Sequence, residues 1–324
     1  MRILKFGGKS LSSLNKIQNI CKYIKEAYKS DKNIVVVVSA MGQTTDELIS
    51  LANEYGNNSS SKRELATLLS TGETQSASLF AMHLISIGVP AKSLLSFQLQ
   101  TETFGDYLNS RVAYISKNPI LECFKEGSVA VVAGFQGVNK KNEITTLGRG
   151  GSDTTATALG AVFGIDVEIF SDFDGVFTGD PRAFAYKKLK SVDYDTMINI
   201  ALGGAKVLDS RATEIAKRHG IKIFAKCSYA LNNKGTIISS IESDVIMISN
   251  IDHLCKITIA FSDKSKMNKI ALNVINSLKN EKLYNLSIEN EKISFFVDQA
   301  EKNIIIKTIA TKLKLLKKSS SSCH

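Results

Sequence analysis

An uninterrupted run of β-branched residues, IVVVV at 34–38, constrains the fold of this chain most strongly. A strand with no polar alternation is buried on both faces, as the strands of parallel sheets are. The run follows a first apolar strand at 3–6 and a set of apolar residues that recur at helical spacing between Leu14 and Tyr28. Strand, helix and buried strand form a βαβ unit. The sequence therefore predicts an α/β fold with an open, mainly parallel sheet sandwiched by helices.

The same alternation continues along the chain. It predicts helices at 45–55, 62–87, 120–125, 152–163, 195–202 and 209–219, and strands at 91–95, 129–133, 167–170, 221–225 and 236–238. Beyond residue 242 the pattern becomes strand 256–261, helix 267–278, strands 283–288 and 293–297, and helix 304–315. This order is typical of a small α+β module. We predict one domain at 1–245, a module at 250–316 and a disordered tail at 317–324.

Composition and charge limit the classes of protein to which this chain can belong. No apolar run is long enough to span a bilayer and the first residues lack a signal-peptide pattern, so we expect a cytoplasmic protein. The net charge is +10, and six lysines against one glutamate from Glu301 onward supply half of it. The remaining charge is spread thinly and is not interleaved with aromatic residues, so we expect no nucleic-acid or membrane partner. A basic last helix that contacts a membrane or nucleic acid is the alternative.

A glycine-rich stretch, TTLGRGGSDTTATALG at 145–160, lies between two predicted strands. Its glycines let backbone N–H groups approach an anion, and the helix that follows adds the positive end of its dipole. Arg149, Ser152 and Asp153 add a cation, a hydroxyl and a carboxylate. The stretch suits an anion-binding loop, and a tight surface turn is the alternative.

Two predicted strands end in polar turns. KFGGKS at 5–10 places Lys5 beside a glycine turn that is neither a P-loop nor a dinucleotide fingerprint. A lysine on a rigid strand beside such a turn can neutralise a transferring phosphoryl group, and a surface lysine is the alternative. SAMGQTTDEL places Ser39 and Thr45 at the usual ligand edge of an open sheet. Thr45 is equally suited to cap a helix.

Three further stretches carry charged groups. Glu73, in STGE, lies in an apolar helix, so its carboxylate needs a cationic partner or an amine ligand. SDFDGVFTGDPR at 171–182 offers carboxylates as oxygen ligands, Arg182 for phosphate and Phe177 as an apolar face for a base. GGAKVL at 203–208 places Lys206 behind another glycine turn.

Taken together, these motifs resemble those of the aspartate kinases, members of the amino-acid kinase family. The motifs KFGG, SAMGxTT, STGE, AGFQG at 133–137, TLGRGGSD, SDxDGVFTGDPR and GAKVL occur here in the family's order. The resemblance covers about the first three quarters of the chain, and seven motifs in order are far more specific than any one of them. The small module resembles the ACT regulatory domains that follow the kinase domain in that family.

The resemblance implies transfer of the γ-phosphoryl group of ATP to the side-chain carboxylate of aspartate, with Mg²⁺ entering with ATP and no metal ligand assigned to a protein side chain. Arg149 would grip a substrate carboxylate, Glu73 would bind the α-amino group, and Asp153 would orient either Lys5 or the phosphoryl group. The implied catalytic residues are Lys5, Asp153 and Lys206; the substrate-binding residues are Ser39, Thr45, Glu73, Phe135, Arg149, Gly150, Gly151 and Ser152; and the nucleotide-binding residues are Lys5, Gly7, Gly8, Ser10, Ser171, Asp172, Phe177, Asp180, Arg182, Lys206 and Val207.

The chain departs from the family pattern at four points. Lys9 stands where the family usually has Thr or Ser, which places a cation either near the phosphates or in solvent. Phe177 replaces a common Tyr, and Asp209 and Ser210 replace a frequent His-Pro pair. One ACT-like module follows the kinase part, where the family usually has two. We expect single modules to pair across a homodimer.

The sequence is compatible with two alternative functions. A sister kinase would phosphorylate glutamate, acetylglutamate or a nucleotide, but the combination of GRGGSD, STGE and the DPR loop favours an amino-acid substrate with a free α-amino group. A catalytically silent sensor of amino acids or nucleotides would keep the motifs for binding only. The presence of Lys5, Arg149, Asp153 and Lys206 argues against a silent sensor, because a sensor has no need of a complete path for a phosphoryl group.

Overall fold

The computed structural model describes residues 1–56, 61–241, 245–278, 281–289 and 291–317. In chain order these form β1 (Arg2–Phe6), α1 (Leu14–Ser30), β2 (Ile34–Val38), α2 (Thr44–Gly56), α3 (Lys62–Ser86), β3 (Ala91–Leu94), β4 (Glu102–Asp106), β5 (Asn109–Tyr114), α4 (Asn118–Lys125), β6 (Val129–Ala133), β7 (Gln136–Val138), β8 (Ile144–Thr146), α5 (Gly151–Phe163), β9 (Val167–Ser171), β10 (Ser191–Asp193), α6 (Tyr194–Leu202), α7 (Ser210–His219), β11 (Ile223–Cys227), β12 (Thr236–Ser239), β13 (Ile246–Ile251), β14 (Lys256–Phe261), α8 (Met267–Ser277), β15 (Tyr284–Glu289), β16 (Lys292–Phe296) and α9 (Lys302–Lys312). The predicted fold class is confirmed. None of the described helices is long and apolar enough to cross a bilayer.

The predicted elements agree with these bounds within a few residues, and the differences have physical causes. The strand predicted at 221–225 lies at 223–227. The hairpin of β4 and β5 was not predicted, because most of its residues are exposed and no apolar alternation marks it. Strand β13 lies where the sequence suggested an interdomain boundary. Residues 242–244 and 318–324 lie outside the described residues. Lys317, the first residue of the predicted tail at 317–324, is described, and its N–H donates to the Ala185 carbonyl oxygen.

Contacts divide the chain into two compact units. Unit 1 contains Met1–Asp174 and Glu214–Gly235, and unit 2 contains Gly175–Thr213 and the chain from Thr236 onward. These units do not coincide with the predicted domains, because α6 packs on β13 and β14 and therefore groups residues 175–213 with the small module. The assignment of residues 250–316 to an ACT-like module stays a prediction.

Unit 1 is built on parallel strands that lie side by side in the order β11-β9-β1-β2-β6-β3. All five residues of β2 are buried, as are all five of β6, which confirms that these strands are covered on both faces. Between β1 and β9, the rings of Phe6 and Phe170 stack with centroids 4.8 Å apart. Strand β1 is therefore central, and its carboxyl end lies between those of β2 and β9.

Helix α5 packs against the central strands because its residues are small. Every residue from Gly151 to Gly160 is buried. A Cβ atom at Gly160 would lie 2.5 Å from Cγ2 of Val167 and 2.8 Å from the carbonyl oxygen of Ile165. Only glycine allows this helix to approach the sheet so closely, and that approach brings the start of α5 to the carboxyl end of β1.

A second, small sheet of unit 1 has the order β5-β4-β7-β8. Strand β7 follows β6 after two residues, and it pairs antiparallel with β8, which leads into the GRGGSD loop. The Leu147 N–H donates to the carbonyl oxygen of Phe135 at 2.8 Å, which ties the start of this loop to the end of β6.

Unit 2 contains the parallel pair β10 and β12 and an antiparallel sheet in the order β13-β14-β16-β15. Helices α8 and α9 pack on each other and, with the sheet, enclose a core that includes Ile257, Phe295 and Ile309. The predicted module lacked β13, which pairs with β14 along six residues.

We predict that Gly160→Ala destabilises the protein, although alanine is the better helix former. The added methyl group would overlap Val167 and Ile165, and overpacking of this kind costs about 1–3 kcal/mol. Urea denaturation should show a lower midpoint for this variant. Val162→Ala, on the same helix at a side chain that is 38% exposed, is the control and should move the midpoint much less. An unchanged or higher midpoint for Gly160→Ala would contradict the close approach of α5.

Candidate functional site

The carboxyl end of β1 carries a buried ion pair. The Lys5 ammonium lies 2.5 Å from Oδ1 of Asp153, and the two side chains are only 10% and 11% exposed. Asp153 lies in the first turn of α5. The sequence left open whether Asp153 orients Lys5 or the phosphoryl group; in this structure it contacts Lys5. The pair places a positive charge, already held in position, at the ligand edge of the sheet.

The glycine turn after β1 lies against this pair. A Cβ atom at Gly7 would be 3.5 Å from Lys5 Nζ, so the turn covers the ammonium with backbone alone. A Cβ atom at Gly8 would be 2.6 Å from the carbonyl oxygen of Ala40, which explains why glycine is needed beside the end of β2. Ser10 follows in a short 3-10 turn, and its hydroxyl is buried and has no hydrogen-bond partner among the described residues. Backbone thus covers Lys5 on this side.

The GRGGSD loop opens α5 with left-handed glycines. Gly148 and Gly150 have φ angles of 72° and 70°, which disfavour any residue with a Cβ. Gly151 lies against Phe135 and Leu147, and its N–H donates to the carbonyl oxygen of Gly148 at 3.0 Å. The amide of Gly151, one of two predicted anion donors, is therefore used within the turn itself.

Side chains of this loop differ in exposure. Arg149 is exposed, whereas Ser152 and Asp153 are buried. An exposed guanidinium at the start of a helix can turn toward an incoming carboxylate, while the buried groups keep the loop in place. The loop thus combines an exposed cation with a rigid base, as an anion-binding loop requires.

Glu73 lies in the middle of α3 and is 4% exposed. Its Oε1 accepts a hydrogen bond of 2.9 Å from the Ala40 N–H, and its Oε2 has no partner among the described residues. Burial raises the pKa of Glu73 to about 7, although the Ala40 N–H and the positive charge of Lys5 act in the opposite direction. Gly72 makes this position possible, because a Cβ atom there would lie 2.9 Å from Ala40 Cβ. A buried carboxylate oxygen with no partner suits an amine ligand.

The remaining substrate residues predicted from sequence lie along the same edge. Ser39 follows β2, and its N–H donates to the Phe6 carbonyl oxygen at 3.2 Å. Thr45 lies in the first turn of α2 and is half-buried. Phe135 follows β6 with a φ of 69°, an uncommon conformation for a bulky residue, and its N–H donates to Thr155 Oγ1 at 3.1 Å. A strained residue next to a glycine loop is typical of a functional site.

Sequence reasoning missed Gln136, which is 4% exposed. Its Nε2 donates to the Ser70 carbonyl oxygen at 2.6 Å and to Thr74 Oγ1 at 2.8 Å. Since Ser70 and Thr74 flank Glu73 on α3, these hydrogen bonds fix the position of that helix relative to the end of β6. The motif AGFQG contains this residue, but no local pattern indicates that its amide reaches a helix 62–66 residues away.

The end of β9 carries Ser171 and Asp172. Ser171 Oγ accepts a hydrogen bond from the Phe173 N–H at 3.1 Å. Asp172 Oδ2 lies 2.9 Å from Lys9 Nζ, and the Lys9 side chain is 67% exposed. The unusual Lys9 therefore extends over the surface to a predicted nucleotide residue and does not point away from the site into solvent.

The other predicted nucleotide residues, Phe177, Asp180, Arg182, Lys206 and Val207, belong to unit 2. Arg182 donates to Asp180 from Nε at 2.9 Å and from Nη2 at 2.7 Å. This contact, together with the charge of Lys206, holds the pKa of the Asp180 carboxyl below its usual range. Phe177 is half-buried and packs against the core of unit 2, so part of its ring is already covered. The structure brings two cations and one carboxylate together here.

Known proteins resemble this chain in sequence and fold. Residues 1–226 match the amino acid kinase family. An aspartokinase from Geobacillus stearothermophilus is 42% identical over 264 residues, which are 81% of this chain and 63% of that protein. An aspartokinase from Thermus thermophilus is 40% identical over 245 residues, 75% of this chain and 60% of that protein. The chain spans about three fifths of the length of these relatives.

Solved structures of aspartokinases are similar to this chain in fold. Aspartokinase III of E. coli in complex with aspartate and ADP superimposes with a TM-score of 0.84 at 17% identity, covering 97% of this chain and all of that one. An aspartate kinase from Synechocystis has a TM-score of 0.66 at 25% identity and covers 99% of this chain and 70% of that one. The protein thus shares the α/β fold of these solved structures. It belongs to the amino acid kinase family.

We predict that Glu73→Gln alters the pH dependence of stability. In the folded protein the carboxyl keeps its proton up to about pH 7, whereas the unfolded chain releases it near 4.5. The unfolded state therefore binds fewer protons between these values, and the free energy of unfolding of the wild type falls as the pH rises through this window. Below it the stabilising contribution is complete, and above it the contribution is lost.

Urea denaturation of both proteins at several pH values checks this prediction. Relative to Glu73→Gln, the wild type should lose on the order of 3 kcal/mol of stability between about pH 4.5 and 7. Glu64→Gln, on the same helix but exposed, is the control and should run parallel to the wild type. If the profile of Glu73→Gln also runs parallel to that of the wild type, the pKa of Glu73 is not raised in the folded protein.

Proposed function

We propose that this chain is an aspartate kinase. It transfers the γ-phosphoryl group of MgATP to the side-chain carboxylate of L-aspartate and forms 4-phospho-L-aspartate, the first step of lysine biosynthesis through diaminopimelate and of threonine and methionine biosynthesis. The observation that carries the proposal is the joint placement of Lys5, Glu73 and the GRGGSD loop at one edge of the sheet. This placement offers a site for a phosphoryl group, for an amine and for a carboxylate.

The reaction needs positioning and charge neutralisation and does not need a covalent intermediate on the enzyme. An oxygen of the aspartate side chain attacks the γ-phosphorus, the bond from that phosphorus to the bridging oxygen breaks, and ADP leaves with the electron pair. Lys5 neutralises charge on the transferring group, and its pairing with Asp153 fixes its direction before substrate binds. In unit 2, Lys206 and Arg182 supply cations for the nucleotide phosphates.

Two groups would bind the aspartate substrate. Arg149 would pair with the α-carboxylate through two parallel hydrogen bonds. The unpartnered oxygen of Glu73 would accept a hydrogen bond from the α-ammonium group, and that cation would favour the ionised carboxylate. A substrate without a free amino group would leave Glu73 buried without a partner, which would select against N-acetylated acceptors.

A magnesium ion would arrive with ATP and would be held mainly by the phosphates and by water. No cluster of three or more His, Cys, Asp or Glu side chains suited to a metal occurs in the described part of the chain, and Asp153 and Asp172 are engaged by Lys5 and Lys9. Mg²⁺ usually keeps several waters and binds substrate phosphates with one or two carboxylates. When bound with ATP, it would neutralise phosphate charge.

We propose further that the protein acts in the cytoplasm as a homodimer, with ATP and L-aspartate as small-molecule substrates and without nucleic-acid or membrane partners. The exposed apolar residues of β15, Tyr284, Leu286 and Ile288, offer an edge for pairing of two modules. Light scattering at assay concentration tests the dimer; a monomer would contradict it.

Trapping of the acyl phosphate with hydroxylamine tests the proposed activity. We expect turnover with aspartate, and little or none with glutamate or N-acetylglutamate. Lys5→Ala should lower kcat by about 100-fold or more, because a cation at the transferring group is lost. Lys22→Ala, an exposed lysine on α1, is the matched control and should leave kcat unchanged. Binding of ATP and aspartate with no turnover would favour a silent sensor, and turnover with a different acceptor would favour a sister kinase.

Arg149→Lys should raise KM for aspartate while changing KM for ATP little. A lysine keeps the charge but loses the two parallel hydrogen bonds, which are worth roughly 1.5–3 kcal/mol, or about 10-fold or more in KM. Steady-state kinetics with each substrate varied in turn measures the change. An equal rise in both KM values would mean that Arg149 stabilises the loop and does not grip the acceptor.

A further inference from the structure

The part of unit 2 that carries Phe177, Asp180 and Arg182 is a long irregular segment. We call residues 175–189 the nucleotide loop. Residues 313–317, which follow α9, lie beside it and form the second segment of interest. The Tyr186 and Leu316 backbones form an isolated antiparallel bridge. The Lys187 N–H donates to the Leu315 carbonyl oxygen at 3.1 Å, and the Lys317 N–H donates to the Ala185 carbonyl oxygen at 2.7 Å. These bonds join the loop to the segment as a short two-stranded ribbon.

Thr178 connects both sides of the nucleotide loop to the same segment. Its hydroxyl donates to the Leu315 carbonyl oxygen at 2.7 Å and accepts a hydrogen bond from the Lys187 N–H at 3.2 Å. On the other side, the Ile248 N–H of β13 donates to the Thr178 carbonyl oxygen at 2.9 Å. Thr178 is 5% exposed, so water does not compete for these bonds.

Apolar packing reinforces the hydrogen bonds. Tyr186 is 2% exposed and Leu315 is 4% exposed, and both belong to the core of the small module. The Tyr186 ring lies against the backbone of Gly179, where a Cβ atom would be 2.4 Å from Cζ. Asp180 follows Gly179 directly, and it holds Arg182. A displacement of Tyr186 would therefore shift Asp180 and Arg182, which the proposed function assigns to the nucleotide.

We propose that residues 313–317 position the nucleotide loop and thereby set the affinity for ATP. The inference rests on the proposed function, which makes Asp180 and Arg182 nucleotide-binding residues. A loop of this length that had to be ordered on binding would lose conformational entropy at that step, and prior ordering removes the loss. Because coupling is reciprocal, ATP should in turn protect the ribbon between the loop and residues 313–317.

Thr178→Val tests the inference with little change of shape. It removes the hydroxyl that serves Leu315 and Lys187, and Thr178→Ser restores it as the matched control. We expect Thr178→Val to weaken ATP binding, measured by calorimetry, and to raise KM for ATP by about fivefold. The values of kcat and of KM for aspartate should change less than about twofold, and Thr178→Ser should behave as the wild type.

A second pair of variants acts from the other side of the ribbon. Lys317→Pro removes the N–H that donates to Ala185, and Lys317→Ala keeps it. The Lys317 side chain is not part of the proposed site. We expect weaker ATP binding for the proline variant only. Hydrogen exchange at the Lys187 amide should be faster in Lys317→Pro and Thr178→Val, and addition of ATP to the wild type should slow it.

Faster exchange at Lys187 with unchanged ATP binding would overturn the positioning role, because the loop would then be loosened without consequence. Unchanged exchange in both variants would overturn the ribbon itself. If the wild type bound ATP but formed no acyl phosphate with aspartate, the proposed activity would fail while the binding comparison would still decide this inference. If the wild type bound no ATP, the inference would fail with it.

Discussion

The buried ion pair of Lys5 and Asp153 is the interaction on which the arrangement of unit 1 depends. Removing two charges from water is expensive, and their attraction rarely offsets the full cost. Replacing such a pair by apolar residues is often neutral or stabilising, so its presence here is weak evidence for stability and better evidence for chemistry. The pair can exist because the carboxyl end of β1 and the first turn of α5 are held together by the packing of small residues against the sheet.

Glycines at several positions of unit 1 allow close backbone approach. Gly8 lies against the Ala40 carbonyl, Gly72 against the Ala40 side chain, and Gly160 against Val167. The contacts of Gly8 and Gly72 with Ala40 lie at the carboxyl edge of the sheet, whereas that of Gly160 lies at the start of β9. Glu73 shows the consequence: it is so deeply buried that its pKa rises to about 7, and one of its oxygens remains unpaired among the described residues. The free-energy cost of burying Glu73 thus arises where the proposed substrate would supply the missing hydrogen-bond partner.

Much of the fold and of the candidate site is predictable from sequence because its signals are local. Apolar runs such as IVVVV identify buried strands, and the glycine loops precede or follow those strands directly. Other features depend on distant partners. Gln136 is bonded to Ser70 and Thr74, Lys9 to Asp172, and residues 313–317 to the nucleotide loop. The hairpin of β4 and β5 escaped prediction because strand pairing, and not an alternation of apolar residues, defines it, and β13 lies where the sequence suggested a boundary.

By itself the sequence determined most of the helices, the buried strands of the parallel sheet and the set of charged groups beside glycine turns, because apolar periodicity and the conformational freedom of glycine are properties of short stretches. Only the tertiary structure decided which of those groups meet. It paired Asp153 with Lys5, buried Glu73 beside Ala40, used the Gly151 amide within its own turn and grouped residues 175–213 with the small module. These outcomes depend on burial and on distances between residues far apart in the chain, and no local pattern encodes them.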